Sequence, residues 1–476
     1  MKNTLPRLEP VTSPWMFKII EDFKLQEALF RNYNSPINIH HLPSFEQNIE
    51  EYLDILSTYN FKSRIFFARK ANKFENLLNT AVSSGIGIDT ASYQELKQCL
   101  DLNIDSSNLI STAAIKNHKL LSLAIKHNVL IIIDNKDELY EAAKIAEELH
   151  KVVRIGIRIS GFEYEGSKLV SRFGFDIDEV ENLFLTYFTN SETNKIFHIE
   201  GFHFHLDGYS TAQRGEALHQ TLDCIENLNS KGFKLSFIDI GGGILMNYLE
   251  HENEWFDFKE NLQQAVLEKR NAITYNNDGL GYINRKGKIE GNLATYPYYN
   301  ENSKASFLKE ILDTTNTTSK TVDQRLDTLK IELRLEPGRS LLDQVGITMA
   351  RVAHRKMDAR GNHLIGLEMN MSQMKSSSAD FLLDPFVCFQ NQETKQEPVE
   401  VYFTGAYCLE RDVLLKRKIE LPKLPEIGDT VLFVNTAGYM MHFFETEAHL
   451  FDKAENLSLS ETKTGYTCED FKPKNS

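Results

Sequence analysis

Apolar and polar positions come in blocks along most of the chain. Short apolar runs occur at 65–68, 85–89, 109–111, 129–134, 154–159, 201–205, 237–240 and 331–335. Most are separated by stretches such as KDELYEAAKIAEELHK, in which apolar residues recur at helical spacing. Eight such units predict an α/β fold, a TIM-type (β/α)8 barrel of parallel strands spanning residues 36–345, with functional groups at the C-terminal strand ends. Beyond Leu341 the texture changes. PVEVYFTGAYCL and GDTVLFVNTAGYMM are β-rich, with turn residues such as Ile427, Gly428 and Asp429 between them. They predict a second, mostly β C-terminal domain over 346–476. Residues 1–35 are expected to pack on that domain.

One segment exceeds what a barrel needs. Between Gly243 and Glu336 a strand and a helix or two would suffice, yet the chain runs much longer there. The part NNDGLGYINRKGKIEGNLATYPYYNENSK is rich in Asn, Gly and Tyr. A long insertion over about 265–325 is the reading, of the kind that forms lids or binding loops.

At 476 residues the chain is too long for one ordinary core. Its 53 basic and 67 acidic residues leave a net charge of -14. That balance argues against nucleic acid or an anionic membrane as partner, while a small anionic ligand stays open. The start, MKNTLPRLEPVTSPW, lacks the apolar core of a signal peptide, and VLIII at 129–133 is too short to span a bilayer. Cys99, Cys224, Cys388, Cys408 and Cys468 are scattered without a CxxC pair. Neither a disulfide framework nor structural zinc is indicated, and a cytoplasmic location is expected.

Five stretches carry candidate chemistry. In RIFFARKANKF an apolar run stops at Lys70; strand alternation puts Phe66, Ala68 and Lys70 on one face and turns Arg69 away. In FIDIGGGI, Gly241, Gly242 and Gly243 follow a strand, where backbone N–H groups can approach a phosphate; a flexible turn is the plain alternative. In RLEPGRSLL, Arg339 can fork onto a phosphate and Glu336 can pair with a protonated ring nitrogen, or the two form an ordinary surface pair. In GFHFHLDGY, His203 and His205 share one strand face, which suits a metal pair, an imidazole packed on an aromatic cofactor, or two core histidines. In GAYCLERDVLL, Cys408 sits among turn-like residues, where a thiol can donate a proton or act as a nucleophile; a buried small hydrophobe is the commoner fate.

Taken in order, Lys-Ala-Asn, Gly-x-Asp-x-x-Ser, His-x-His, Gly-Gly-Gly, Glu-Pro-Gly-Arg, Gly-x-x-Cys-x-x-x-Asp and a late Gly-Tyr resemble the fold-type III decarboxylases dependent on pyridoxal 5'-phosphate (PLP). That group includes diaminopimelate and ornithine/lysine/arginine decarboxylases and shares its barrel with alanine racemases. The resemblance runs from about Pro36 to Met441. It implies that Lys70 forms the Schiff base with PLP, that Glu336 keeps the pyridine nitrogen protonated, and that His205 stacks on the ring. It further implies phosphate contacts from Gly241, Gly242, Gly243, Arg339 and Tyr439, counts Gly338 among the cofactor-binding residues, and places Asp89 and Arg158 near the cofactor and its lysine. Cys408 matches the cysteine that reaches in from a second subunit, with Asp412 after it. An amino-acid substrate and a homodimer with shared active sites follow, with no metal, nucleic acid or membrane.

Two departures stand out. The usual HxHxGS reads His203-Phe-His205-Leu206-Asp207-Gly208, without its phosphate-binding serine, which leaves Tyr209 or Ser210 as substitutes. Relatives follow the cysteine with an acid that holds the substrate's distal ammonium; here Leu409 follows and Glu410 comes one place later, on the opposite face of an extended chain. With basic lid residues such as Arg285, Lys286 and Lys288, this points to a diamino acid whose distal amine is acylated. N-citryl-ornithine, in siderophore biosynthesis, is the specific expectation, against free diaminopimelate, ornithine, lysine or arginine. A PLP racemase, a non-catalytic PLP-binding regulator and a metal-dependent hydrolase resting on His203 and His205 are the rival classes.

Overall fold

The computed structural model describes residues 4–189, 193–376, 381–391, 397–462 and 465–470. Strand β1 (Ile37–His40) precedes β2 (Ser63–Ala68), β3 (Gly87–Thr90), β4 (Leu109–Ser111), β5 (Leu130–Ile133), β6 (Val153–Ser160), β7 (Phe197–His203), β8 (Phe237–Asp239) and β9 (Glu332–Leu335). Strands β2 to β9 pair in parallel in the order β7-β8-β9-β2-β3-β4-β5-β6, and β6 pairs again with β7. The sheet therefore closes into the expected barrel of eight strands.

Two-sided burial explains the continuous apolar runs. Along β5, Leu130 and Ile132 meet Phe66, Ile110 and Phe237 inside the barrel. Ile131 and Ile133 face the opposite way, into the large core shared with the surrounding helices. Those helices start where capping residues allow. Helix Lys136–Leu149 is capped by Asn135, whose side chain accepts from Glu138 N–H at 3.0 Å, and acids occupy its first turn. Its buried face is Leu139, Ala142, Ile145 and Ala146. Among the described residues no helix is long and apolar enough to cross a membrane.

The second sheet is built from β10 (Gly346–Met357), β11 (His363–Leu367), β12 (Phe386–Cys388), β13 (Val399–Thr404), β14 (Val413–Leu421), β15 (Thr430–Val434), β16 (Glu455–Thr462) and β17 (Gly465–Asp470). Its order is β14-β13-β11-β10-β1-β16-β17, with β15 paired to β10 and β12. The first strand of the chain thus belongs here, although it lies within the stretch assigned to the barrel from its sequence. It pairs antiparallel with β10 and parallel with β16, and both faces are buried.

The segment between β8 and β9 divides its loyalties. Helix Glu252–Val266, Ile273, Leu280, Tyr296 and Tyr298 pack into the core of the second sheet. Helices Lys304–Leu312 and Val322–Leu329 return to the barrel core. The hairpin of Ile283–Arg285 and Lys288–Glu290 stands mostly exposed, as does the connection 313–320. At the N-terminal side, helices Pro14–Glu21 and Phe23–Tyr33 press Trp15, Met16, Leu29 and Phe30 onto β1, β10 and β15.

Arg417, fully buried in β14, ties these parts together. It donates to Pro6 O at 2.5 Å, Leu382 O at 2.5 Å and Asp384 Oδ1 at 2.7 Å. Arg417→Met would leave these buried acceptors unmatched, at a cost of about 3 kcal/mol. We expect a lower melting temperature together with faster proteolytic trimming ahead of residue 14; an unchanged melt and cleavage pattern would overturn this role.

Candidate active site

The Lys70 turn is held from below. Strand β2 ends at Ala68, and Arg69–Ala71 form one turn of 3-10 helix. Arg69 is buried and donates to Gln98 Oε1 at 2.7 Å and Lys73 O at 2.6 Å, and also to Asn72 O. Asn72 spans the joint between the sheets, donating to Ala437 O at 3.0 Å and bonding the ring of His40 on β1 at 3.1 Å. Lys73 donates its ammonium to His442 O at 2.7 Å.

Lys70 is thereby aimed at Asp89, whose Oδ2 lies 3.3 Å from its Nζ. Register explains the meeting, because Ala68 and Asp89 are paired residues on β2 and β3. Thr112 donates to the other Asp89 oxygen at 2.5 Å. The Lys70 side chain is 37% accessible, while its partner Asp89 is wholly buried. Burial pushes its pKa down, but Asp89 and Glu336 outweigh this and hold the ammonium above the usual lysine value.

Across the rim, register aligns Arg158, His203 and Asp239 on β6, β7 and β8. Glu336 follows β9 directly. His203, Asp239 and Glu336 are all buried, and one ligand-type atom of each lies within 4.8 Å of the others. His203 Nε2 and Glu336 Oε1 come within 3.2 Å without the alignment of a hydrogen bond, so both remain unpaired, as does Asp239 Oδ2. Asp239 Oδ1 accepts from Gly241 N–H at 2.9 Å. Burial, and then the neighbouring carboxylates, push Glu336 up to about 8 and Asp239 up to about 7. Burial lowers His203 to about 4. Arg158 leans on Asp134 at 3.7 Å and lies over Phe173 at 4.2 Å.

The two histidines do not share a strand face. Strand β7 ends at His203, so His205 falls in the following loop. There its Nδ1 accepts from Gly242 N–H at 3.2 Å, which puts the ring proton on Nε2. His205 is open to solvent at its surface, yet the protein packed around the ring and then the Lys70 ammonium push its pKa well below the usual histidine value. Gly241 and Gly243 have φ of +65° and +81°, a region that favours glycine. A side chain at Gly242 would strike Glu336 O at 2.6 Å. The N–H groups of Gly243 and Ile244 donate to no protein group among the described residues.

Arg339 lies between aromatic faces, 4.4 Å from the centroid of Tyr296 and 5.1 Å from that of Tyr439. Its Nη1 donates to Gly438 O at 3.3 Å. Tyr439 holds a φ of +72°, costly for an aromatic residue, and its N–H donates to Ala71 O at 2.8 Å. Gly338 is fixed by closeness, since a Cβ there would lie 2.8 Å from the Tyr439 hydroxyl. Of the suggested serine substitutes, Ser210 caps helix Thr211–Ser230 and Tyr209 packs edge-on to Tyr296 at 5.6 Å.

Cys408, Leu409 and Glu410 stand elsewhere. They line a cavity of about 760 Å³ on the second sheet, lined by neither Lys70, His205 nor Glu336. Residues 405–412 are not extended, so the expected alternation of faces does not apply; Leu409 N–H turns back to Tyr407 O at 2.7 Å. Both oxygens of Asp412 accept from backbone N–H groups, of Met371 at 2.8 Å and Tyr407 at 2.7 Å. Arg285 lies on the exposed hairpin and pairs with Glu290 at 3.2 Å.

Asp239, Asn72, Arg214, Tyr248 and Tyr296 were not singled out from the sequence. Two of them had a signal: Asn72 closes the Lys-Ala-Asn motif, and Asp239 stands two places before the glycine turn.

An amine beside carboxylates at the rim of a closed parallel barrel, with a β domain seated against that rim, is the frame of the fold-type III PLP enzymes. The chain belongs to the pyridoxal-dependent decarboxylases: the pattern for "pyridoxal-dependent decarboxylase, pyridoxal binding domain" matches residues 43–283, just over half of the 476. An uncharacterised protein, y4yA, of Sinorhizobium fredii is 28% identical over 88% of this chain and 86% of its own. A diaminopimelate decarboxylase of Aquifex aeolicus is 23% identical, covering 84% of this chain and 81% of its own. Among solved structures, the diaminopimelate decarboxylase of Helicobacter pylori complexed with L-lysine superposes with a TM-score of 0.68 at 20% identity, covering 93% and 95% of the two chains.

The residues fit PLP. Glu336 Oε1 is an unmatched buried acceptor, and the glycine turn offers two unmatched donors where a Cβ could not enter.

The raised carboxyl values have a thermodynamic consequence. A native state that holds protons the unfolded chain has released loses stability as pH rises, for Glu336 between 4.5 and about 8. Buried His40 and His203, lowered to about 3 and about 4, act oppositely below 6.5. Between pH 6.5 and 8 the carboxyl trend therefore stands clear. Cofactor-free protein should lose about 1 kcal/mol per pH unit there, and Glu336→Gln should flatten the slope in denaturant melts. An equal slope in both proteins would refute the assignment.

Proposed function

We propose that this decarboxylase removes the α-carboxylate of a diamino acid, with PLP carried on Lys70 Nζ. The observation that carries the reading is that amine, held by Asp89, at the same barrel rim as an unmatched buried carboxylate, Glu336, beside the glycine turn. When bound, PLP supplies an electron sink for the pair left as the Cα–carboxylate bond breaks. Glu336 would hold a proton on the ring nitrogen and keep that sink charged. The neutral ring of His205, fixed by Gly242, would offer a flat face to the cofactor. Gly243, Ile244 and Arg339 would take the phosphate, while Asp89 would hold the Lys70 ammonium when the lysine is free.

Reprotonation of Cα needs an acid, and Lys70 Nζ or a Cys408 Sγ would serve. Cys408 is exposed in a cavity that its own Lys70 does not line. That separation supports a homodimer in which each chain lends its Cys408 loop to the other's cluster.

The distal end of the substrate has two readings. Relatives that bear the name diaminopimelate decarboxylase, one of them complexed with L-lysine, favour a free diamino acid. A distal amine that is acylated is favoured by the loop itself: Leu409 carries no charge, and backbone donors engage both oxygens of Asp412. The citryl group has lost part of its expected basic lid, because Arg285 pairs with Glu290 on an exposed hairpin.

A CO₂-release panel of diaminopimelate, ornithine, lysine, arginine and their N-acylated forms, N-citryl-ornithine included, tests the substrate. Lys70→Ala should lower turnover by at least about 10³-fold. Release from no member of the panel would overturn the assignment to diamino acids. Mixing Lys70→Ala with Cys408→Ala should restore activity that neither shows alone, and failure of that rescue would refute the shared site.

A further inference from the structure

The chain has glycine where its relatives place a phosphate-binding serine; Ser210 caps helix Thr211–Ser230 and Tyr209 packs edge-on to Tyr296. A different group occupies that corner. Arg214, in the first turn of helix Thr211–Ser230, is 1% exposed. Its Nη2 donates to Gly208 O at 2.8 Å and Leu206 O at 3.3 Å, and its Nη1 to Ser210 O at 3.3 Å. The guanidinium thus sits under the 206–208 turn. Its other side meets the glycine turn, where a Cβ on Gly243 would lie 2.4 Å from Nη2.

A buried cation needs a counter-charge, or its desolvation goes uncompensated. Carbonyl oxygens satisfy its donors but carry no net charge. Among the described residues no carboxylate forms an ion pair with Arg214; the exposed Asp207 is the carboxylate that acts on it from a distance, and Tyr209 beside it is a neutral phenol at neutral pH. Burial lowers it only to about 10, so it stays charged at neutral pH. In the same turn, the N–H groups of Gly243 and Ile244 have no acceptor among the described residues. Unmatched donors and a hidden positive charge therefore meet at a single loop.

We propose that Arg214 is a positioning residue for the cofactor phosphate, standing in for the missing serine by placing a fixed positive charge behind the glycine turn and clamping that turn to residues 206–208. This rests on the reading of the glycine turn as the phosphate end of the site. The cation does not touch the phosphate. It acts through Gly243, across a dry layer of backbone where charge is weakly screened. The helix supplies its rigidity, and Gly243 is required because any side chain would displace the guanidinium.

The test compares PLP with pyridoxal, which lacks the phosphate. Both are titrated into cofactor-free protein and followed by absorbance, without reference to turnover. Arg214→Gln keeps a donor for Gly208 O but removes the charge. It should weaken PLP binding by about tenfold or more, while pyridoxal binding stays within about twofold. Arg214→Lys keeps the charge and should retain the wild-type ratio of the two affinities within about threefold. Equal weakening of both ligands in Arg214→Gln would reduce Arg214 to a structural clamp and overturn the proposal. So would a ratio that collapses in Arg214→Lys, and that variant decides the matter if the glutamine variant does not fold. Wild-type protein that binds PLP no better than pyridoxal would instead overturn the reading of the glycine turn itself.

Discussion

Buried charge that must balance is the constraint around which the rest of the molecule is arranged. Asp89, Asp239 and Glu336 sit at or just past the ends of barrel strands, and all three are buried. Lys70 and Arg158 are the cations nearest at hand, and Arg158 is partly spent on Asp134. Ionising every carboxylate in so dry a place is costly, so protons make up the difference. Strand register sets this balance. One residue of slip would turn Asp89 or Asp239 away from the interior toward the helices. Barrel closure, through the double pairing of β6 and β7 across the sheet, forbids such slips.

The barrel was legible because burial on two faces leaves a visible mark. Runs such as LIII at β5 are apolar on both sides, and all eight barrel strands stood out in the sequence even where polar residues sit at their rim ends. What failed to show depended on partners far along the chain. The strand Ile37–His40 joins the second sheet only because β10 and β16 come to flank it. His203 and His205 looked alike because the end of β7 leaves no local signal. The 405–412 loop defeated a strand argument by turning back on itself. Arg214 read as one more helical arginine, since burial of a single side chain has no signature in sequence. The ordered motifs made Lys70, Glu336 and the glycine turn visible as a set, though each was ambiguous singly.

The turn that carries Lys70 is also the joint between the two sheets. Asn72 reaches His40 and Ala437, Tyr439 N–H reaches Ala71, and Ala68 N–H reaches Pro337 O. Hence the amine is set by contacts from both domains at once. The strained backbone of Tyr439 is tolerated because these contacts over-determine it. The aromatic segment around Tyr296 joins the same knot, so the part of the long insertion that matters most to the rim is its buried stretch rather than its basic hairpin.

The separation of the Cys408 loop from the Lys70 cluster has a consequence for how such a protein can diversify. The loop hangs from strands β13 and β14, and its internal shape is held by Asp412 through backbone atoms. Side chains at 409 and 410 can therefore be exchanged without disturbing the hydrogen bonds that shape the loop or the proton balance at the barrel rim. If the loop meets the distal end of the substrate as proposed, selectivity and reaction would be inherited on different pieces of the chain. A lineage could keep the same reaction while drifting from one amino acid to another, by edits to a few exposed positions.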